Sequence, residues 1–127
     1  MAYVTVPNAV QLGRVGELLA MAAFEMSGMK VVLVNQQGFD ILAFDEDGAS
    51  YRVEVKSSSH SFGVEELKYK FMTSAGSKSK KSLNPDDADI ICCVALDAKR
   101  MVVRLADDFP NKRTTIKMDE FNEPETL

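Results

Sequence analysis

The segment Ala88 to Leu96, ADIICCVAL, constrains this chain more than any other, because after Asp89 its side chains are apolar without a break. A run of that length and composition reads as a β-strand buried on both sides rather than one with a solvated face. Asp97-Ala98-Lys99-Arg100 then turns the chain back into a second strand, Met101 to Ala106. The two cysteines, Cys92 and Cys93, are adjacent, so on a strand they project to opposite faces and form neither a staple nor a metal pincer. They read as apolar core filling. The rest of the chain suits such a core: 127 residues support a single folded unit, and 46% apolar with 27% charged residues, seven Gly and four Pro exclude a disordered or fibrous class. No apolar run approaches the roughly 18 residues of a membrane span. The start MAYVTVPNAV lacks a basic segment followed by an apolar one, so a soluble, cytoplasmic protein is expected.

Residues 8 to 28 read as a helix, with Asn8 as N-cap, Leu12, Val15, Leu19, Ala22 and Met26 at helical spacing, and Ser27-Gly28 as the stop. Lys30 to Asn35 and Phe39 to Asp45 are strand-like runs separated by Gln36-Gln37-Gly38. Asp45-Glu46-Asp47-Gly48 is a turn signal, and Tyr51 to Ser57 then alternates apolar with charged residues, which makes a hairpin. Residues 64 to 72, VEELKYKFM, fit a helix through Val64, Leu67 and Phe71 or a strand through Leu67, Tyr69 and Phe71; the strand is preferred. Thr73 to Asp87 is expected as a polar loop, Thr114 to Met118 as an edge strand, and Asn122 to Leu127 as an acidic tail after a single domain over residues 1–121. His60 lies in the polar run Ser57 to Ser61 and reads as an exposed loop residue, while Met21, Met26 and Met29 read as core and flank.

Three features carry chemistry when read together. If the hairpin turns around residues 46 to 48, facing positions sum to about 94 or 95, which puts Asp40 opposite Glu54 or Val55 with Cβ atoms about 5 Å apart. Glu54 and Lys56 point to the same face, roughly 7 Å apart. Glu17 has Gly13, Ala20, Met21 and Phe24 as helical neighbours, so a carboxylate sits in an apolar stripe and needs a cation, a hydrogen-bond partner or a raised pKa. Paired carboxylates with an adjacent lysine suit phosphodiester hydrolysis: the carboxylates hold one or two Mg²⁺ ions that neutralise phosphate charge and acidify a water, which the lysine orients or deprotonates. The bland alternative is a surface pair between Glu54 and Lys56, worth less than about 1 kcal/mol.

The chain here resembles the PD-(D/E)XK phosphodiesterase superfamily, which includes many restriction enzymes, Holliday junction resolvases and some homing endonucleases encoded in group I introns. The resemblance runs over residues 12 to 105 and is carried by Gly16-Glu17, by Gly38-Phe39-Asp40 in place of the Pro-Asp, and by Glu54-Val55-Lys56 as the (D/E)XK, followed by the apolar strand. The small intron-encoded and phage-type nucleases are the most similar members. The resemblance implies an α/β, restriction-endonuclease-like core, with an N-terminal helix packed on a mixed central sheet in the order α-β-β-β-x-β-β. It implies Asp40 and Glu54 as metal ligands with the carbonyl of Val55, Lys56 as the water-positioning base, and Glu17 as a further ligand or a carboxylate just behind the ligands. The cofactor implied is Mg²⁺, with Mn²⁺ as an alternative. The common core has a helix between Lys56 and the Ala88 strand, and no segment here reads as one.

The net charge of -4 argues mildly against a protein that coats nucleic acid, but the charge is uneven. Lys68, Lys70, Lys78, Lys80 and Lys81 fall in one stretch without an acidic residue, leaving ten basic against nineteen acidic residues elsewhere. A Lys/Ser/Gly loop of this kind suits contact with a phosphate backbone, or serves only solubility. The expected function is a metal-dependent DNA endonuclease. A non-catalytic nucleic-acid-binding module with the same fold, or a nuclease acting on RNA, are the alternatives. A chain this small has little surface to hold a duplex, so a homodimer or homotetramer is expected, with Met29, Met72 and Phe62 as interface candidates.

Overall fold

The computed structural model describes residues 8–36, 39–72, 74–75, 81–82, 88–106 and 113–121. Helix α1 (Ala9–Met26) begins at a reciprocal cap: Asn8 Oδ1 accepts from Gln11 N at 2.9 Å, and Gln11 Oε1 accepts from Asn8 N at 3.3 Å. It stops at Ser27, after which Gly28 takes φ +94°, a conformation that favours glycine. The strands in chain order are β1 (Lys30–Gln36), β2 (Phe39–Phe44), β3 (Ser50–Ser58), β4 (Lys68–Met72), β5 (Ser74–Ala75), β6 (Lys81–Ser82), β7 (Ile90–Ala95), β8 (Arg100–Leu105) and β9 (Arg113–Lys117).

The central sheet is mixed and has five strands in the order β1-β2-β3-β7-β8; its β3–β7 pair is parallel and the other three are antiparallel. Strand β7 lies inside it and is covered on both faces. Cys92 and Val94 pack with Ala20 and Phe24 of α1, while Ile91, Cys93 and Ala95 pack with Tyr69, Phe71, Ile116 and Phe121. Both cysteines are fully buried, on opposite faces, as core filling. The second cover is an antiparallel ribbon of β4 and β9, closed by a 3-10 turn at Met118–Phe121, with the Tyr69 and Phe121 rings edge to face at 5.2 Å. The parallel junction is pinned at its start by Asp89, whose Oδ2 accepts from Arg52 N at 2.8 Å and Nε at 3.2 Å and whose Oδ1 accepts from Arg52 Nη2 at 3.0 Å.

Several expectations change. The buried face of α1 is Gly16, Ala20 and Phe24, whereas Val15 is 42% and Met26 90% exposed. Small residues decide this rotation: a Cβ on Gly16 would collide with Ser57 Oγ of β3, so the helix seats where its backbone can come closest. Met29 is buried in the core and is not available to an interface; Met72 lies in β4 opposite Arg113. Residues 68–72 are strand, as preferred, and among the described residues no helix separates β3 from β7. The expected loop 73–87 contains a short antiparallel pair, Ser74 with Ser82 and Ala75 with Lys81. The C-terminal strand pairs with β4 rather than edging the central sheet. Lys78, Lys80, Gly38 and the acidic tail lie outside the described residues. Among the described residues, no helix is long and apolar enough to cross a membrane.

Candidate active site

Strands β2 and β3 pair Ile41 with Val53, Leu42 with Arg52, Ala43 with Tyr51 and Phe44 with Ser50. Continued by one residue, that register sets Asp40 against Glu54, on the face away from Val53 and Val55. The turn that fixes it is built on Asp45, whose Oδ1 accepts from Asp47 N at 3.0 Å and Ala49 N at 2.9 Å, while Gly48 takes φ +85°. At the other end of the hairpin, Val55 N donates to Asp40 Oδ2 at 2.9 Å, which ties this carboxylate to the backbone beside Glu54.

Glu54 is held in a water-poor setting, with 12% of its side chain exposed and Lys56 Nζ 3.7 Å from its Oε1. Its pKa is pushed up to about 8, first by burial and then by the hydrogen bond it shares with Asp40; Asp40 and Glu17 repel its charge, and Lys56 works against these effects. Glu17 reaches the same cleft from α1. Its pKa is also raised, chiefly by burial and then by Asp40, against the pull of Arg14 at 3.5 Å. Glu17, Asp40, Glu54, Lys56, Gly13 and Ser57 line one cleft of about 310 Å³.

The donor set suits a hard divalent cation. Mg²⁺ takes oxygen ligands, keeps several waters, and is commonly held by one or two carboxylates rather than by a full protein cage. Among the described residues, no three carboxylate, imidazole or thiol groups converge into such a cage. Asp40 and Glu54 are the pair whose carboxylates would face such a cation, and Glu17 lies on the same cleft.

Two features of the cleft have little signature in the sequence. Ser57 Oγ is buried and, among the described residues, has no hydrogen-bond partner, because β3 presents it to Gly16 where the helix comes closest. Cys93, the β7 partner of Lys56, lies beneath the lysine; burial pushes its thiol up to about 12, so it is not a nucleophile. His60 is exposed and its Nδ1 is 2.9 Å from Ser59 Oγ, outside the cleft. A larger cavity of about 490 Å³ lies at the turn end of the hairpin, near Phe24, Met29, Asp45 and Tyr51. Of the lysines, Lys68 and Lys70 lie on β4 and Lys81 on β6.

No protein-family model and no curated protein sequence matches the chain. Its fold is similar to the solved structure of a bacterial homing endonuclease, I-Ssp6803I, with a TM-score of 0.68 and 16% sequence identity, covering 95% of this chain and 84% of that one. Helix α1 against a mixed sheet is the architecture the two share.

Proposed function

We propose that the protein is a metal-dependent endonuclease of the PD-(D/E)XK type that hydrolyses phosphodiester bonds in DNA. The observation that carries this reading is the meeting of Asp40, Glu54, Lys56 and Glu17 in one cleft at the open end of the β2–β3 hairpin, where burial raises the Glu54 pKa. The fold shared with a bacterial homing endonuclease supports it. Asp40, Glu54 and the carbonyl of Val55 would hold a divalent cation such as Mg²⁺ or Mn²⁺, which would supply charge neutralisation on the phosphate and acidification of a water. Lys56 would orient the attacking water. Glu17 adds a third carboxyl group to the cleft, and its charge, like that of Asp40, disfavours an uncompensated carboxylate at Glu54. Cutting both strands needs two such clefts, which calls for a symmetric homo-oligomer, a dimer or tetramer; a monomeric mass by light scattering together with full double-strand cleavage would remove that requirement.

The test is incubation of purified protein with plasmid, branched DNA, single-stranded DNA and RNA, with Mg²⁺ or EDTA, beside Lys56→Ala. Cleavage of DNA that requires Mg²⁺ and is lost in Lys56→Ala is expected. Cleavage that survives EDTA or Lys56→Ala overturns the mechanism, and cleavage of RNA alone overturns the substrate.

A further inference from the structure

The register of the ribbon gathers cations that are far apart in sequence. Lys68 of β4 lies directly opposite Lys117 of β9, and Lys70 lies opposite Thr115. Tyr69, Phe71 and Ile116 alternate with them and are buried against the central sheet, so Lys68, Lys70, Thr115 and Lys117 occupy the outward face. Phe62 extends this face by one more position. It exchanges backbone hydrogen bonds with Lys68 at 2.9 and 3.0 Å, so Phe62, Lys68 and Lys117 form one row across the ribbon. The Phe62 ring is 44% exposed, and Lys70 Nζ stands 5.6 Å from its centroid.

Like charges directly opposite on a ribbon, about 5 Å apart at Cβ, work against the fold. Glu66, 3.7 Å from Lys117 Nζ, relieves part of that repulsion, but both side chains are about half exposed and the pair is weak. Among the described residues, Glu65, Glu66, Asp119 and Glu120 lie near the Lys68–Lys117 end; in the other direction the chain runs on to β5 and β6. A rigid, aromatic-backed face with cations held side by side is complementary to a line of phosphates. It also shares its foundation with the cleft: Phe39, next to Asp40, and Cys93, the β7 partner of Lys56, belong to the hydrophobic cluster on which the ribbon rests.

We propose that the outer face of the β4–β9 ribbon is the docking surface for a DNA double helix, with Lys68, Lys70 and Lys117 on the sugar-phosphate backbone. A two-stranded ribbon is narrow enough to follow the major groove, about 12 Å wide. The choice of DNA rests on the function proposed above; the ribbon adds where the duplex lies and brings in Lys117, which no basic run in the sequence marks.

The experiment is duplex binding by the intact protein in EDTA, measured across about 50 to 200 mM salt. Removing one lysine from a phosphate should flatten the logarithmic salt slope by about 0.9. The triple variant Lys68→Gln/Lys70→Gln/Lys117→Gln should therefore lower the slope by about two to three, and Lys117→Gln alone by about one. Lys30→Gln/Lys99→Gln, on exposed positions elsewhere, should leave it unchanged. The thermal midpoint of the triple variant should stay level or rise, because a repulsive pair is gone, which separates weakened phosphate binding from unfolding. An unchanged slope in the triple variant, or no duplex binding by the wild type, overturns the ribbon, and tighter, ribbon-dependent binding to duplex RNA overturns the choice of DNA. Ribbon-dependent DNA binding in a protein that never cleaves with Mg²⁺ or Mn²⁺ supports the ribbon and sinks the nuclease. Mg²⁺-dependent cleavage with an unaltered salt slope does the reverse.

Discussion

Strand β3 meets two carboxylates, one beside Arg52 near its start and one, Glu54, at its middle, and the two positions treat charge in opposite ways. At the start, Arg52 surrounds Asp89 with three hydrogen bonds between 2.8 and 3.2 Å, and the guanidinium holds the Asp89 pKa below its ordinary value. Two residues on, and on the same face, Glu54 is buried beside Asp40 within reach of Glu17, and its pKa is raised to about 8. The first arrangement satisfies the folded protein by itself and fixes the parallel register of β3 and β7. The second crowds carboxyl groups in a buried setting, with Lys56 Nζ 3.7 Å from Glu54 as the positive group beside them. Local cost in the fold at one position on a strand, beside full satisfaction two residues away, is what separates a site from a structural clip.

The contrast breaks most sharply in activity. Lys56→Ala should lower DNA cleavage by about 10²–10⁴-fold with nearly unchanged DNA affinity, because the lysine positions water. Arg52→Ala should leave cleavage within a few-fold at a temperature where the protein stays folded. Equal loss of binding and cleavage in Lys56→Ala would make that lysine a phosphate contact, and a large loss in Arg52→Ala would erase the distinction between the two positions.

The pH dependence of stability should also run in opposite directions. Because the folded-state pKa of Glu54 lies above its ordinary 4.5, its contribution is fully present below about pH 4.5 and drains away as pH rises through about 8. Metal-free Glu54→Gln should therefore gain on the wild type as pH rises from 5 to 8, by at most about 1.4 kcal/mol for each step of one in pH. Mg²⁺ should raise the wild-type thermal midpoint more at pH 8 than at pH 5, since the proton competes with it. A pH-independent difference between the two proteins would show that Glu54 is already ionised. Asp89, with its pKa lowered, contributes above its ordinary 3.8 and loses that contribution as pH falls through the lower folded value. Its side chain is 40% exposed, so Asp89→Asn should cost only about 1 kcal/mol near neutrality, and its pH dependence should appear only in acid.

Packing under the cleft gives the next effect. Gly16→Ala should destabilise by about 1–3 kcal/mol in urea unfolding, because the new Cβ meets Ser57 Oγ and α1 must lift from the sheet. It should also lower cleavage, by moving Glu17 away from Asp40. The smallest change is expected for Ser57→Ala, which removes a buried hydroxyl without a protein partner among the described residues and should be neutral or stabilising by up to about 1 kcal/mol. In the Gly16→Ala background it should restore part of the lost stability; if it does not, the close approach at Ser57 is not what seats the helix.

Much of this arrangement is written in residues that act locally. The cap at Asn8, the stop at Gly28, the turn at Asp45 to Gly48 and the alternation of Tyr51 to Ser57 are settled within a few residues of chain, and together they set the hairpin register that faces Asp40 with Glu54. The apolar run through Cys92 and Cys93 likewise announces a strand covered on both sides. Tertiary structure alone decided which face of α1 is buried, because two apolar stripes compete on that helix and only closeness of approach at Gly16 chooses between them. It also decided the partner of Thr114 to Met118. A short strand carries no record of which edge it will join, and here it pairs with β4, in a ribbon whose Tyr69, Phe71 and Ile116 are buried with Phe121 against β7. The raised pKa of Glu54 belongs to the same class: its neighbours in sequence are ordinary, and the displacement arises only when three elements bring carboxylates into one dry cleft.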